Sequence, residues 1–462
     1  MPIPTALREI GRQLDDPADL GRAIDELLTA RSEPPALLAL GEPTHGIEAF
    51  PLLRNELLGQ LAERGYRSIA LETDFLAASL VDDYVNGATA NIDTVLATGF
   101  SHGFGAVPGN RELIEWLRRY NADRAPRDRI RFYGFDAPTE YSGAPSPRHA
   151  LSVAAAYLPP GLRPESARDL DTLLGADADW TNESAMYDAA ASIGDSDRAR
   201  ALRIAADDLA STLRRAAPAL RSAAPANSAA PANSAAPANS ADPADPADPA
   251  NSADPADPAN SADSADPADP ADSADPANPA DLDDRADYDR ALAHARTAQG
   301  LLRYHAAMAS PGTDRVEILL SVRAEMMAEN LLAIAAREQR RGPSLVFAHN
   351  AHLQRAQPLS DNGGSWANAG ALVELALGER YMFIATDANP HSDPSTFQGA
   401  LAAATTRRAL FPAPALRAAL DPAIGAGEPI VPGHFPLSPA ELTGADAVIF
   451  VADTDGKRHQ YW

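Results

Sequence analysis

The sequence predicts an α/β protein with a mainly parallel sheet flanked by helices, a large helical insertion and a disordered Ala/Asp/Pro repeat loop. Three observations lead to this fold class. Apolar, strand-like runs alternate with helical segments, as in βαβ units. Most of these runs are continuously apolar, which is typical of strands whose two faces are both covered. Residues from about 148 to 340 contain no convincing strand, so we expect a helical insertion there.

Six runs are predicted as strands, at residues 36–41, 68–72, 130–135, 344–348, 381–386 and 447–452. Helical periodicity predicts helices that include residues 47–64, 111–121 and 315–336. Two more helices flank the repeat. One carries Leu202, Ala205, Leu209 and Leu213 on a single face, and the other begins its apolar pattern at Tyr288.

The repeat occupies residues 225–280 and contains no aromatic residue and no Leu, Ile, Val or Met. It cannot bury enough apolar surface to offset its chain entropy, so we predict that it is disordered. The predicted organisation is a first part of the catalytic unit at 1–215, a disordered low-complexity loop at 216–281 and a second part of the catalytic unit at 282–462. The sheet needs strands from both parts.

Composition excludes several classes of protein. The formal charge of -25 over 462 residues argues against nucleic acid or an anionic membrane as a partner. No run approaches 18 apolar residues, so no membrane span is expected. The chain has no cysteine, which removes disulfides and thiolate metal ligands and fits a reducing compartment. With no recognisable signal peptide, the expected location is the cytoplasm.

The first candidate site follows the strand at 36–41, where Glu42 and His45 stand three residues apart. A carboxylate beside an imidazole is the smallest general-base unit, because the carboxylate orients the ring and stabilises its protonated form. Gly41 and Gly46 bracket the pair and are expected to allow tight backbone turns. The alternative is a polar turn in which His45 only caps the following helix.

Further polar residues stand at the ends of other predicted strands. His349 and His352 follow the strand at 344–348, Glu72 ends the strand at 68–72, and Asp136 follows the strand at 130–135. In an open α/β sheet, chemistry collects beyond the carboxyl ends of the strands, so these residues are expected to converge. Arg54 lies nine residues after His45, on the predicted helix, where it either forms a surface ion pair or contacts an anion or carbonyl group.

Three functions fit these residues. No nucleophile elbow, phosphate loop or dinucleotide fingerprint occurs, so the leading interpretation is hydrolysis by an activated water without a cofactor. The second is a metal-dependent hydrolase, in which Glu42, His45, His349 and His352 hold Zn²⁺ or Mn²⁺. The third is a non-catalytic protein that binds a small molecule in the same cleft.

The sequence also resembles the erythromycin esterase family. The resemblance is carried, in the family's order, by residues 41–46 with Arg54, 71–74, 111–121, 132–136, 323–330 and 348–352.

This resemblance implies an α/β core with a helical part and a cleft between them. It implies a hydrolase that cleaves a small-molecule carboxylic ester. In the best-known members that ester is the macrolide lactone, so their activity gives antibiotic resistance. His45 would be the general base that activates water and Glu42 its neighbour. The other catalytic residues would be Glu72, His349 and His352, while Arg54 and Asp136 would bind substrate. No metal or other cofactor is expected.

Overall fold

The protein is described here from a computed structural model, which covers residues 3–139, 143–221, 279–355 and 368–459. The chain divides into two compact units. One comprises Met1–Arg214 with Ala291–Trp462, and the other comprises Arg215–Arg290. In the second unit the Arg221 guanidinium lies over the Tyr288 ring, 5.8 Å from its centroid.

The first unit contains a mixed sheet of eight strands in the order β1-β7-β8-β6-β2-β5-β3-β4. The pairs from β8 through β6, β2, β5 and β3 to β4 are parallel. The pairs β1–β7 and β7–β8 are antiparallel. The strands are β1 (Arg12–Gln13), β2 (Leu37–Glu42), β3 (Ser68–Asp74), β4 (Arg131–Asp136), β5 (Ser344–His349), β6 (Tyr381–Ala388), β7 (Arg408–Pro412) and β8 (Ala447–Val451).

Fifteen α-helices are present in the described residues, besides short 3₁₀ turns. They are α1 (Ile3–Ile10), α2 (Pro17–Thr29), α3 (Ala49–Glu63), α4 (Ala78–Val85), α5 (Ile92–Thr98), α6 (Asn110–Asn121), α7 (Arg148–Tyr157), α8 (Leu170–Leu174), α9 (Asp197–Leu220), α10 (Pro279–Met308), α11 (Arg315–Glu338), α12 (Asn350–Leu353), α13 (Ala369–Leu377), α14 (Phe397–Ala404) and α15 (Ala413–Ala419).

Apolar side chains cover both faces of the sheet, as the continuous apolar runs predict. In β2, Leu38 and Leu40 belong to a core shared with α2, α3 and α6. Leu37 and Ala39 point to the other face, into a core shared with α11, α13 and α14. Successive strand residues alternate between the two faces, so each strand contributes to both cores.

All six predicted strands are present, with ends that differ by one or two residues. The sheet is mixed: the pairs among the six predicted strands are parallel, while β1 and β7 add an antiparallel edge that the sequence did not predict. β1 is only two residues long, so it carries no apolar pattern and depends on pairing with β7. β7 ends at Pro412, which is acceptable at a strand end but weakens a strand signal.

The insertion between β4 and β5 contains no strand among its described residues, 143–221 and 279–343. Its helices extend further into the predicted loop at 216–281 than expected, since α9 ends at Leu220 and α10 begins at Pro279. The prediction of disorder for the remaining repeat, residues 222–278, lies outside the described residues.

None of the helices in the described ranges combines the length and the apolar character needed to cross a bilayer.

Polar side chains connect the carboxyl ends of three adjacent strands. Asn350 donates from Nδ2 to the Thr386 carbonyl at 2.8 Å, and the Thr386 hydroxyl donates to the Gly41 carbonyl at 2.7 Å. A Cβ on Gly41 would lie 2.0 Å from Asn350 Oδ1. Gly46 has a φ of 87°, as the expected tight turn requires, whereas Gly41 lies inside β2 and is small because Asn350 approaches it.

We therefore predict that Gly41→Ala destabilises the protein by about 2 kcal/mol, a typical cost of overfilling a packed site. The measurement is the thermal midpoint by calorimetry. Gly59→Ala is the matched control, since a Cβ at that position of α3 meets nothing within 4 Å. That control should keep or raise the midpoint, because alanine is the better helix former. An unchanged midpoint for Gly41→Ala would show that the strand ends are not packed as described.

Candidate active site

The last residue of β2 and the loop that follows it place the first pair of predicted residues at the carboxyl edge of the sheet. β2 lies between β5 and β6, and Glu42 is in register with His349 of β5. β3 follows β5 in the sheet and places Glu72 beside them. The structure thus brings Glu42, His45, Glu72 and His349 together, with His352 on the first turn after β5.

His45 is held by the carboxylate three residues before it. Its Nδ1 lies 2.8 Å from Glu42 Oε1, so the Nδ1 proton is donated to that carboxylate. The lone pair is therefore on Nε2, which faces Glu72 Oε1 at 3.9 Å. This distance is too long for a direct hydrogen bond. The His45 side chain remains 19% exposed, so solvent reaches the ring.

Glu72 is buried, and both of its carboxylate oxygens have polar partners. Its Oε2 accepts the backbone N–H of His349 at 2.8 Å, and its Oε1 lies 3.2 Å from both His352 Nε2 and Arg323 Nη2. Burial by itself raises the pKa of Glu72, but the positive charges of His352, His45 and Arg323 and the bond from His352 lower it well below its usual value. Glu72 is therefore a stable anion within the site.

The charges around His45 set its basicity. Burial lowers the pKa of the imidazole, but the Glu72 charge and the hydrogen bond and charge of Glu42 raise it by more, so the pKa lies above 6.5. For the pKa of Glu42, the effect of burial outweighs that of the neighbouring charge. Burial raises its pKa above 4.5, against the lowering effect of His45. His45 is thus a stronger base than a free imidazole.

His349 has both ring nitrogens engaged by the backbone. Its Nε2 donates to the Pro43 carbonyl at 3.0 Å, and its Nδ1 accepts the N–H of Ala351 at 3.1 Å. This pattern requires the neutral ring. Burial and the nearby charge of His45 lower the pKa of His349 to about 3. His349 therefore fixes the loop that carries His45 and has no free nitrogen for a proton or a metal.

Arg54 lies behind the site, 1% exposed, at the wall of a small cavity. Its guanidinium donates to neutral acceptors, Asn55 Oδ1, Asn110 Oδ1 and the Gly109 carbonyl, at 2.8 to 3.1 Å. Burial lowers its pKa to about 9, against the opposing charge of Glu42. Arg54 is thus a buried cation that supports the negative charge of Glu42 from a distance.

The cavity has a volume of about 30 Å³, with walls that include Glu42, His45, Arg54, Glu72, Phe104 and Phe347. A space of this size holds a water molecule but not an organic ligand. The body of any larger substrate would therefore lie outside it.

Asp136 is fully buried at the end of β4 and forms a bidentate ion pair with Arg323. The distances are 2.9 Å from Arg323 Nε to Oδ1 and 2.6 Å from Nη2 to Oδ2. His102 Nε2 lies 3.1 Å from the same Oδ2. Burial raises the pKa of Asp136, but Arg323 and the His102 bond lower it to about 2. Asp136 therefore orients Arg323 toward Glu72.

Sequence reasoning missed both Arg323 and His102 as site residues. Arg323 lies on α11, where an arginine looks like a surface residue unless the opposite carboxylates are known. His102 is the one non-glycine residue with positive φ, 56°, among the described residues, and its ring packs 5.4 Å from that of Phe104. The sequence signal for His102 was its glycine-rich surroundings, because such segments adopt unusual backbone conformations. Strained backbone often accompanies function.

The described residues contain no group of three or more His, Asp or Glu side chains arranged to hold a metal ion. Of the four ligands proposed for the metal alternative, His349 has both ring nitrogens bound to the backbone and has none free for a metal ion. His45 donates from Nδ1 to Glu42, which leaves the lone pair of its Nε2 free.

Comparisons with known proteins identify the family. The family model for erythromycin esterase matches residues 61–392. A curated relative, the erythromycin esterase type II of Escherichia coli, is 31% identical over 103 residues. That match covers 22% of this chain and spans only 23% of the relative's length.

Solved structures share the fold at low identity. A Bacillus cereus protein has a TM-score of 0.63 at 14% identity, over 97% of this chain and 96% of that one. A succinoglycan biosynthesis protein has a TM-score of 0.58 at 13% identity, over 98% and 96%. A histidine-to-asparagine mutant of an erythromycin esterase in its open conformation has a TM-score of 0.57 at 15% identity, over 96% and 95%.

The two site histidines should titrate very differently. Because carboxylates raise the pKa of His45 and burial lowers that of His349, His45 should titrate above pH 6.5 and His349 should stay neutral down to about pH 3. The measurement is a ¹⁵N-histidine NMR titration from pH 4.5 to 9, with resonances assigned from His45→Asn and His349→Asn variants. A His349 ring that becomes protonated above pH 5 would contradict the described contacts.

Proposed function

The chain belongs to the erythromycin esterase family, and we propose that it hydrolyses a carboxylic ester or macrolactone with water activated by His45. The orientation of the His45 ring supports this proposal. Its Nδ1 is committed to Glu42 Oε1 at 2.8 Å, so Nε2 is left as the proton acceptor. An imidazole oriented in this way by a carboxylate is a general base.

The attacking water would donate one hydrogen bond to His45 Nε2 and another to Glu72 Oε1, which lie 3.9 Å apart. A gap of this length suits a bridging water better than a direct bond. As the water oxygen bonds to the ester carbon, His45 takes its proton. When the carbon–oxygen bond to the alcohol breaks, the protonated His45 gives that proton to the leaving alkoxide, so that acid and alcohol are released.

The negative charge that forms on the carbonyl oxygen needs nearby polar groups to stabilise it. In this proposal the Arg323 guanidinium supplies a positive charge and His352 Nε2 supplies a hydrogen bond, because both side chains contact Glu72 and retain exposed surface, 21% and 14%. Preorganised donors at such a position typically contribute the largest single share of catalysis. The proposal thus keeps His352 among the catalytic residues, as the family resemblance implies.

The remaining predicted residues receive supporting roles. His349 positions the loop of His45 through the Pro43 carbonyl. Asp136 orients Arg323, and Arg54 supports the charge of Glu42. We propose that these residues act through others rather than by contact with the substrate.

The proposed substrate class is a small-molecule ester. A macrolactone is included because the curated relative and one structural neighbour are described as erythromycin esterases. We also propose that residues 1–215 and 282–462 form one catalytic unit, since strands from both form the sheet. A cytoplasmic location is inferred from the sequence alone.

The proposal predicts that His45→Asn lowers kcat/KM for ester hydrolysis by a factor of about 10² to 10⁴, the usual cost of losing a general base. The assay follows p-nitrophenyl acetate and a macrolide panel, with mass spectrometry to detect the addition of one water. His391→Asn is the matched control, since His391 is exposed on a loop. Its activity should equal that of the unsubstituted protein.

Thermal midpoints should be similar in the two variants. A folded His45→Asn protein with near-normal turnover would refute the assignment of the base.

Dialysis of the unsubstituted protein against a chelator should leave the rate of ester hydrolysis unchanged. Activity that is lost on chelation and restored by stoichiometric Zn²⁺ or Mn²⁺ would favour the metal-dependent hydrolase instead. If the unsubstituted protein hydrolyses no ester, the binding-protein alternative gains support.

A further inference from the structure

An exposed aromatic ring lies at the edge of the site, and the proposed chemistry does not use it. Phe435 is 66% exposed, yet its ring packs edge-on against His349, with centroids 5.4 Å apart and an interplanar angle of 89°. His349 in turn lies 5.4 Å from His45, centroid to centroid. One ring therefore separates Phe435 from the proposed base.

The backbone of Phe435 is fixed to the same loop that carries His45. The Phe435 N–H donates to the Pro43 carbonyl at 3.0 Å, and His349 Nε2 donates to the same oxygen at 3.0 Å. Both contacts hold the loop between Glu42 and His45. The position of the Phe435 ring is therefore tied to the geometry of the base.

A buried carboxylate anchors the chain on either side of Phe435. Asp387, at the end of β6, accepts His434 Nε2 at 2.9 Å on Oδ1, and the Leu437 N–H at 2.9 Å and Gln398 Nε2 at 2.7 Å on Oδ2. His434 Nδ1 also accepts the Ile430 N–H at 2.9 Å. These contacts restrain the residues that flank Phe435, so the ring is exposed on a rigid support.

Single exposed apolar residues are common and usually need no explanation. Phe435 differs because hydrogen bonds restrain the residues that flank it and because the cavity at His45 is small. At about 30 Å³ the cavity accepts a water but not an acyl chain. An ester whose carbonyl reaches His45 must therefore extend its apolar portion outside the cavity, and the exposed ring of Phe435 is separated from His45 by one imidazole ring.

We propose that Phe435 is a specificity-determining residue, whose exposed ring binds the apolar acyl portion of the ester substrate. The inference rests on the proposed hydrolysis. Contact with Phe435 would be made equally in the ground state and in the transition state, so it would contribute to KM and to the preference for long acyl chains, not to the chemical step.

The test compares p-nitrophenyl acetate, butyrate and octanoate. In the unsubstituted protein kcat/KM should rise with chain length. Phe435→Ala should lower the octanoate-to-acetate ratio of kcat/KM about tenfold through KM, as loss of an apolar contact predicts. Its kcat for acetate should stay unchanged. Phe435→Leu should recover most of the ratio. Tyr187→Ala is the matched control, since Tyr187 is an aromatic residue that is 81% exposed; it should leave the ratio unchanged.

A binding measurement separates this inference from the proposed hydrolysis. N-(4-nitrophenyl)hexanamide is an amide analogue of the esters, and its affinity is measured by calorimetry. Phe435→Ala should weaken its binding about tenfold even if no ester is cleaved. An unchanged ratio and an unchanged amide affinity in Phe435→Ala would refute the role of Phe435. Equal losses for acetate and octanoate would refute it as well, because they indicate a disturbed loop.

Discussion

The arrangement of the site depends on the buried carboxylate of Glu72. A carboxylate that is 5% exposed would be costly to ionise without partners, and Glu72 has three at its oxygens: the His349 N–H, His352 and Arg323. Its charge then acts on His45, whose Nε2 lies 3.9 Å away. One group thus fixes the position of the strand ends and raises the basicity of the imidazole.

The contacts around Glu72 explain why the site requires two distant parts of the chain. Glu72 comes from β3, while His349 and His352 come from β5 and the turn after it. Arg323 lies on α11, within the helical insertion, and is oriented by Asp136 of β4. The helical insertion therefore completes the electrostatics of the sheet edge rather than only covering it. Its arginine neutralises two carboxylates that would otherwise repel each other.

Sequence reasoning reached the residues at and just after the strand ends but not Arg323 on α11 or Phe435 in its loop. Continuous apolar runs mark β2, β3 and β5, and polar residues directly after such runs are read from the sequence without a structure. Arg323 and Phe435 carry no such mark. An arginine on a helix and a phenylalanine in a loop look ordinary until the fold shows what lies opposite. The antiparallel strands β1 and β7 were missed for a similar reason. They are recognised as strands by their hydrogen bonds to neighbouring strands, not by an apolar sequence pattern.

If the charge of Glu72 raises the basicity of His45, the effect should appear in the pH dependence of kcat/KM for p-nitrophenyl acetate. The base must be unprotonated, so activity should fall as the pH drops through the raised pKa of His45, with a midpoint above 6.5. Glu72→Gln removes the charge that raises this pKa. Its residual activity should fall at a lower pH than that of the unsubstituted protein, whereas Glu374→Gln, at a side chain of α13 that is 42% exposed, should keep the original midpoint. A Glu72→Gln midpoint that is unchanged or higher would show that the charge of Glu72 does not raise the pKa of His45.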